Sequence, residues 1–241
     1  MTVRIDIWSD IVCPYCSIGK ARFEQALADF PHRDEVEVAW HSFELDRHAE
    51  PVSAATLPEM IAAKYGVSHE QAEAQHVGLE HAAAEVGLTF AWREARPGNT
   101  HDAHRLTHLA ADHGLQAETV DRLMRAYFSE GQAIGDRDTL VRLAGEVGLD
   151  EGEVRAMLGS DDYGNHVRSD QATAKMIGIE GVPFFVLDRK FGVSGAQPVE
   201  VFSEALAQAW DRRGEEAQQR EAAGCGGDCG NGSCGSGACS A

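Results

Sequence analysis

Cys13 and Cys16 stand three positions apart, with only Pro14 and Tyr15 between them. Two thiols at this spacing close a small ring as a disulfide and reopen as a dithiol, a two-electron exchange that needs no cofactor. The thiolate is the attacking form, so the chemistry depends on what surrounds each sulfur. Upstream, Val3-Arg4-Ile5-Asp6-Ile7 alternates apolar and polar, as a half-buried strand does. Downstream, Gly19, Phe23, Ala26, Leu27 and Phe30 share one helical stripe. The pair therefore sits at a strand-to-helix junction. The first turn of a helix offers unpaired N–H groups and about half a unit of positive charge. Cys13, near the N-cap, is expected to hold its thiolate there and attack. Cys16, one turn deeper and more buried, is expected to resolve the mixed disulfide. Pro14 suits the first helical position, where its missing N–H costs nothing. A C-x-x-C in this setting reads as a redox motif. Half of a zinc site and an inert buried pair are the competing readings. Zinc takes about four ligands, and the body of the chain offers no second pair with fitting spacing.

The 241 residues, 43% hydrophobic and 25% charged, are ordinary for a soluble globular protein. No apolar run approaches membrane-spanning length. Met1-Thr2-Val3-Arg4-Ile5-Asp6 starts directly as a strand, with neither a basic nor an apolar leader segment, which predicts a cytoplasmic protein. A reducing cytosol turns thiol pairs toward catalysis, sensing or metal binding rather than structural bridges. All six cysteines lie near the two ends of the chain. The net charge of -18 argues against nucleic acid, whose phosphates need clustered Lys and Arg, and against an anionic membrane surface.

Val36-Glu37-Val38-Ala39-Trp40-His41-Ser42-Phe43 predicts a second strand. From about Leu57 to Gly178 the pattern is helical. Val120, Leu123, Met124, Tyr127 and Phe128 form one apolar stripe, and Leu140, Leu143, Ala144 and Val147 form another behind the candidate caps Asp136 and Asp138. Gly66, Gly87, Gly114, Gly131, Gly148 and Gly159 fall where helices should stop. Strand signals return at Val182-Pro183-Phe184-Phe185-Val186-Leu187, turn at Asp188-Arg189 and continue through Lys190-Phe191-Gly192-Val193. A last helix carries Phe202, Ala205, Leu206, Ala209 and Trp210 on one face. This order predicts an α/β protein, a thioredoxin-like fold with an inserted helical subdomain. The expected segments are 1–48 and 179–213 for the two parts of the thioredoxin-like domain and 49–178 for the helical insertion. Residues 214–241 are expected to form a flexible Cys/Gly-rich tail.

Four sequence blocks carry a family resemblance. They are Ser9-Asp10-Ile11-Val12-Cys13-Pro14-Tyr15-Cys16; Phe43-Glu44-Leu45-Asp46; Asn99-Thr100-His101-Asp102-Ala103-His104-Arg105-Leu106; and Gly181-Val182-Pro183-Phe184-Phe185-Val186 with Ser194-Gly195-Ala196-Gln197 after it. Together the chain resembles the DsbA-like thioredoxin-fold oxidoreductases, and within them the cytoplasmic FrnE-like branch. The resemblance implies a disulfide oxidoreductase or isomerase that acts on protein or small-thiol disulfides, with glutathione as a further candidate partner and no bound cofactor. It implies that Pro183 is the family's cis-proline, facing Cys13, and that the backbone of Val182 beside it pairs with a substrate strand. Pro14 and Tyr15 belong to the same substrate-facing surface. They differ from the Pro-His of periplasmic relatives and so leave the redox potential open. Kappa-class glutathione transferases and 2-hydroxychromene-2-carboxylate isomerases look similar in fold. They typically carry serine where this chain has Cys13, and two cysteines favour disulfide exchange.

Cys225, Cys229, Cys234 and Cys239 stand in the Gly-rich tail without a C-x2-C knuckle. Cys229–Cys234 or Cys234–Cys239 could serve as a second redox pair exchanging with Cys13 and Cys16. A flexible segment of about 20 residues spans about 25 Å, against a radius of gyration of about 17 Å for the body. A soft-metal site and an unstructured thiol-bearing tail are the other readings. His101, His104 and His108 fall at helical spacing, with His113 beyond. Leu106, Leu109 and Ala110 give that helix a buried face, so a packing or surface role is expected, with Asn99-Thr100 as its cap, and no metal is assigned. Glu215, Glu216 and Glu221 read as a solvated helix end. Two functions compete with disulfide exchange. One is a glutathione-dependent isomerase or transferase. The other is a non-enzymatic redox sensor or metal buffer working through the tail.

Overall fold

Val3, Ile5 and Ile7 alternate with Arg4, Asp6 and Trp8, and a period of two sends the two sets to opposite faces of a strand. In the computed structural model, which describes residues 2–224, they form β1 (Val3–Ser9), an inner strand of a four-stranded sheet. β2 (Val36–Ser42) pairs with it in parallel, Ile7 opposite Trp40. β3 (Phe184–Leu187) pairs antiparallel on its other side, Ile7 opposite Phe185, and β4 (Phe191–Ser194) closes a hairpin onto β3. The hairpin turns at Asp188 and Arg189, both with left-handed backbone.

A parallel pair needs a crossover, and α1 (Pro14–Ala28) supplies it, followed by a 3-10 turn at Arg33–Glu35. α1 shares one face of the sheet with α9 (Val199–Gly224). There Phe23, Phe185 and Phe202, one from each of three elements, meet with ring centroids 4.7 to 5.8 Å apart. Aromatic contacts of this kind add about 0.5–1.5 kcal/mol each beyond their burial.

Between β2 and β3 come α2 (Leu57–Tyr65), α3 (His69–Glu85), α4 (His101–Asp112), α5 (Gln116–Glu130), α6 (Arg137–Glu146), α7 (Glu151–Leu158) and α8 (Gly164–Met176). The starts of α2, α3, α6 and α7 carry side-chain caps. Thr56 with Glu59 and Ser68 with Gln71 form capping boxes, and Asp136 and Asp150 accept from N–H groups three residues on. At α4 the expected Asn99-Thr100 cap works through Asn99 alone, whose Oδ1 accepts from the His101 N–H at 2.8 Å. The Thr100 hydroxyl is buried with no partner among the described residues. The stripe Val120, Leu123, Met124, Tyr127 and Phe128 is buried and continuous with the core above the sheet. α9 continues past position 213 to Gly224. Cys225, Cys229, Cys234 and Cys239, and the flexibility expected of that stretch, lie outside the described residues.

One expectation about β1 is corrected. It is not half-buried: α8 covers its second face, so Asp6 and Trp8 are buried nearly as fully as Ile5 and Ile7. A buried carboxylate needs partners, and these come from β2 and α8. His41, stacked on Trp8 at 4.4 Å, bonds Asp6 through Nε2 and Asp170 through Nδ1, both at 2.8 Å. Asp170 also accepts from the Ser42 N–H at 2.8 Å and lies 3.0 Å from His108 Nε2, and its carbonyl accepts from the Trp8 indole. Burial opposes charge on His41, but hydrogen bonds to Asp170 and Asp6 outweigh it and raise its pKa to about 9. Asp170, from α8, therefore fastens the insertion to the sheet.

Candidate active site

β1 ends at Ser9, and the next residues turn sharply, the Cys13 N–H donating to the Asp10 carbonyl at 3.1 Å. That turn delivers Cys13 to the N-cap of α1, with Pro14 as the first helical residue. The Cys13 carbonyl accepts from the N–H groups of Cys16 and Ser17. Both thiols are free and buried, Cys13 at 4% exposure and Cys16 at 1%. Burial pushes the Cys16 thiol well up, and the neighbouring Cys13 adds to it by hydrogen bond and charge. Tyr15, between them, is 55% exposed.

The second expected component is in place. The Val182–Pro183 peptide is cis. The Cys13 thiol donates to the Val182 carbonyl at 3.7 Å, which brings residues 169 positions apart into one site. α1 holds this loop from beneath. The Arg22 guanidinium donates to the Ala196 carbonyl at 2.7 Å. Gly19 presses on the Pro183 ring so closely that a Cβ there would sit 2.9 Å from Pro183 Cγ and 3.3 Å from the Ala196 backbone. Gly19→Ala is therefore expected to push the loop away from Cys13. Overpacking of this kind costs about 1–3 kcal/mol, and a misplaced docking loop lowers exchange on the order of tenfold or more. Urea unfolding together with disulfide-exchange kinetics checks both effects.

Asp10 is a site residue whose role the sequence did not disclose. Its carboxylate is fully buried below the Cys13 turn, accepting from the Leu45 N–H at 2.8 Å and lying 3.3 Å from His104 Nε2. Burial, with the Asp10 charge nearby, raises the pKa of the Tyr127 phenol. The histidines of α4 do not converge. His101 faces Glu44, His104 faces Asp10, and His108 faces Asp170. The clue that existed was position: Asp10 and His104 stand in two of the blocks that carried the resemblance.

Beside Cys13 opens a cavity of about 760 Å³. Cys13, Pro14, Tyr15 and Val182 form one wall, and α2, α3, α5 and the loops around Leu45, Phe90 and Pro97 form the rest, mainly through apolar side chains such as Met60, Leu79 and Phe128. Among the described residues no second thiol pair lines it. The site thus has a thiol at a helix start, a second buried thiol within the same turn, and a backbone loop beside Cys13. That arrangement can exchange disulfides.

Comparison with known proteins agrees. The family model described as a DSBA-like thioredoxin domain matches residues 4–207. A probable DsbA oxidoreductase of Streptomyces coelicolor is 49% identical, covers 87% of this chain and 90% of its own, and superposes with a TM-score of 0.83. YwbO of Bacillus subtilis is 30% identical over 213 residues, 86% of this chain and 97% of that protein. The cytosolic disulfide reductase DsbM of Pseudomonas aeruginosa, solved with GSH, shares the fold at 21% identity, covering 85% of this chain and 98% of its own with a TM-score of 0.58. With the family model matching residues 4–207, most of its length, the chain belongs to the DSBA-like thioredoxin domain family.

Proposed function

We propose that this protein is a thiol–disulfide oxidoreductase, with disulfide isomerisation within its reach. Cys13 attacks the substrate disulfide and Cys16 resolves the mixed disulfide. Val182 and Pro183 dock the substrate beside the sulfur, with Pro14 and Tyr15 on the same surface. The observation that carries this reading is the Cys13 thiol against the Val182 carbonyl: nucleophile and docking backbone are already in contact. Burial and the neighbouring Cys13 raise the pKa of the Cys16 thiol, which favours Cys13 as the thiol that attacks the substrate and Cys16 as the one that resolves. A cytoplasmic location and a place in the FrnE-like branch belong to the same reading. A small thiol such as glutathione is a further candidate partner, as DsbM of Pseudomonas aeruginosa was solved with GSH.

The test is a redox titration of the full chain in glutathione buffers, with Cys13 and Cys16 followed by thiol-labelling mass spectrometry. A single reversible two-electron couple is expected, in which both thiols disappear together. If the two never join as a disulfide across the range, the proposal fails, and the glutathione-dependent isomerase and the tail-based thiol readings move ahead of it.

A further inference from the structure

The cavity beside Cys13 is larger than strand docking requires. A substrate strand laid along Val182 presents one side chain at a time near the sulfur. A space of about 760 Å³ is instead of the size that encloses a whole drug-sized molecule. It reaches past Cys13 to Leu57, Phe90 and Tyr127, all buried. Exposed Tyr15 and Tyr65 also line it.

Two further observations narrow the occupant. The first is Gly78, inside α3 and lining the cavity. Glycine is destabilising in a helix interior, and nothing in the packing requires it here, because a Cβ at Gly78 would meet no atom within 4 Å. Its effect is to leave the cavity wall bare. The second is charge. Among the described lining residues Lys64 is the only Lys or Arg, against Asp10 and Asp46, and its ammonium already donates to the Leu45 carbonyl at 3.2 Å. Such a wall suits an uncharged, apolar ligand better than a tripeptide with two carboxylates.

We infer that this cavity takes the apolar part of a low-molecular-weight disulfide, an aromatic or branched-alkyl group, and that Cys13 and Cys16 exchange with the sulfur it carries. The inference rests on the disulfide-exchange reading above and names a substrate class for it. In the reductive direction the Cys13 thiolate attacks the sulfur bearing the apolar group. A new S–S bond forms as the ligand's S–S bond breaks, and the other half leaves as a thiol after taking a proton. Cys16 then gives up its proton and attacks the Cys13 sulfur, closing the Cys13–Cys16 disulfide and releasing the apolar thiol. The ligand gains two electrons and two protons, the dithiol loses them, and a small dithiol such as dithiothreitol restores the protein.

The experiment is single-turnover oxidation of the pre-reduced full chain by three disulfides: benzyl 2-hydroxyethyl disulfide, bis(2-hydroxyethyl) disulfide and glutathione disulfide. The benzyl compound is expected to react at least about tenfold faster than the other two, after correction for their rates with free dithiothreitol. Gly78→Phe, which fills the bare wall at an exposed helical position, is expected to bring the benzyl-to-hydroxyethyl ratio close to one. Equal rates in the unmodified protein overturn the inference. So does a ratio unchanged in Gly78→Phe and again in Leu79→Trp. A peptide disulfide whose cysteine is flanked by Phe, reacting with the same gain over its Ser-flanked counterpart, also overturns it, since the cavity would then serve peptide side chains. If none of these compounds oxidises the pair, the oxidoreductase reading itself has failed, a result distinct from exchange without preference.

Discussion

Cys16→Ser is expected to convert turnover into capture: the variant attacks a disulfide once and stays joined to it. The geometry assigns the arrest to the second step. Cys13 occupies the N-cap of α1 against the Val182 carbonyl, and neither contact involves the Cys16 sulfur. Attack therefore proceeds. Release needs a second nucleophile within the same helical turn, and a serine hydroxyl in a site buried to 1% exposure does not ionise to provide one. Mixed disulfides at Cys13 should accumulate to near stoichiometry, read by non-reducing electrophoresis and intact-mass spectrometry. Cys13→Ser removes the nucleophile instead and should lower exchange on the order of a thousandfold or more. The two outcomes are asymmetric, and the asymmetry is the test. Equal loss without any trapped adduct in Cys16→Ser would remove the assigned roles. Activity surviving in Cys13→Ser would favour the glutathione-dependent alternative, whose relatives typically carry serine at that position.

The placement of Cys13 and Cys16 at a helix start and of the Val182-Pro183 loop was legible because each is a local pattern. A C-x-x-C between a strand and a helix needs no knowledge of the rest of the chain, and the Val182-Pro183 block took its meaning from a family likeness. The buried stripe of α5 was legible for the same reason, since periodicity along one helix reports its own burial. What stayed hidden depends on partners far along the chain. β1 read as half-buried because alternation shows which residues share a face but not what covers that face. α8 covers it, from more than 150 residues away, and so Asp6 and Trp8 are interior. Asp10 and His104, 94 positions apart, gave no sign of meeting. Gly19 read as one small member of an apolar stripe, and only the loop pressed against it shows why a methyl group is excluded. Gly78 is the opposite case, a glycine with open space in front of it. Both residues look alike in sequence, and the packing distinguishes them.

Asp170→Asn is expected to cost about 3 kcal/mol and to change how stability depends on pH. The carboxylate gathers His41, His108 and the Ser42 N–H from β2 and α4 onto α8. Burial alone would raise its pKa, but hydrogen bonds from His108 and His41 and the His41 charge hold it well below the ordinary carboxylate range. Asparagine keeps the shape and removes the charge, leaving a mostly buried imidazolium without its main counter-ion. Breaking such a pair costs about 3–5 kcal/mol when fully buried, and the lower figure suits side chains that keep some contact with water. For a protein of this size the loss lowers Tm by about 6 to 12 °C. The sign of the pH dependence follows from the direction of each shift. His41 is raised from 6.5 to about 9, so its contribution is fully present below pH 6.5 and is lost as pH rises through 9. Asp170 and Asp6 are lowered from 3.8, so theirs is present above that value and is lost as pH falls. The network therefore stabilises most between about pH 4 and 6.5. Urea unfolding at pH 6 and pH 9.5 should show the unmodified protein losing on the order of 3 kcal/mol across that interval from this linkage. Asp170→Asn should lose clearly less, because Asp6 alone cannot hold the His41 charge as strongly. An identical slope in both proteins would mean that His41 titrates independently of Asp170, and the fastening of the insertion to the sheet would then have to come from apolar packing around Trp8 and Ala174 instead.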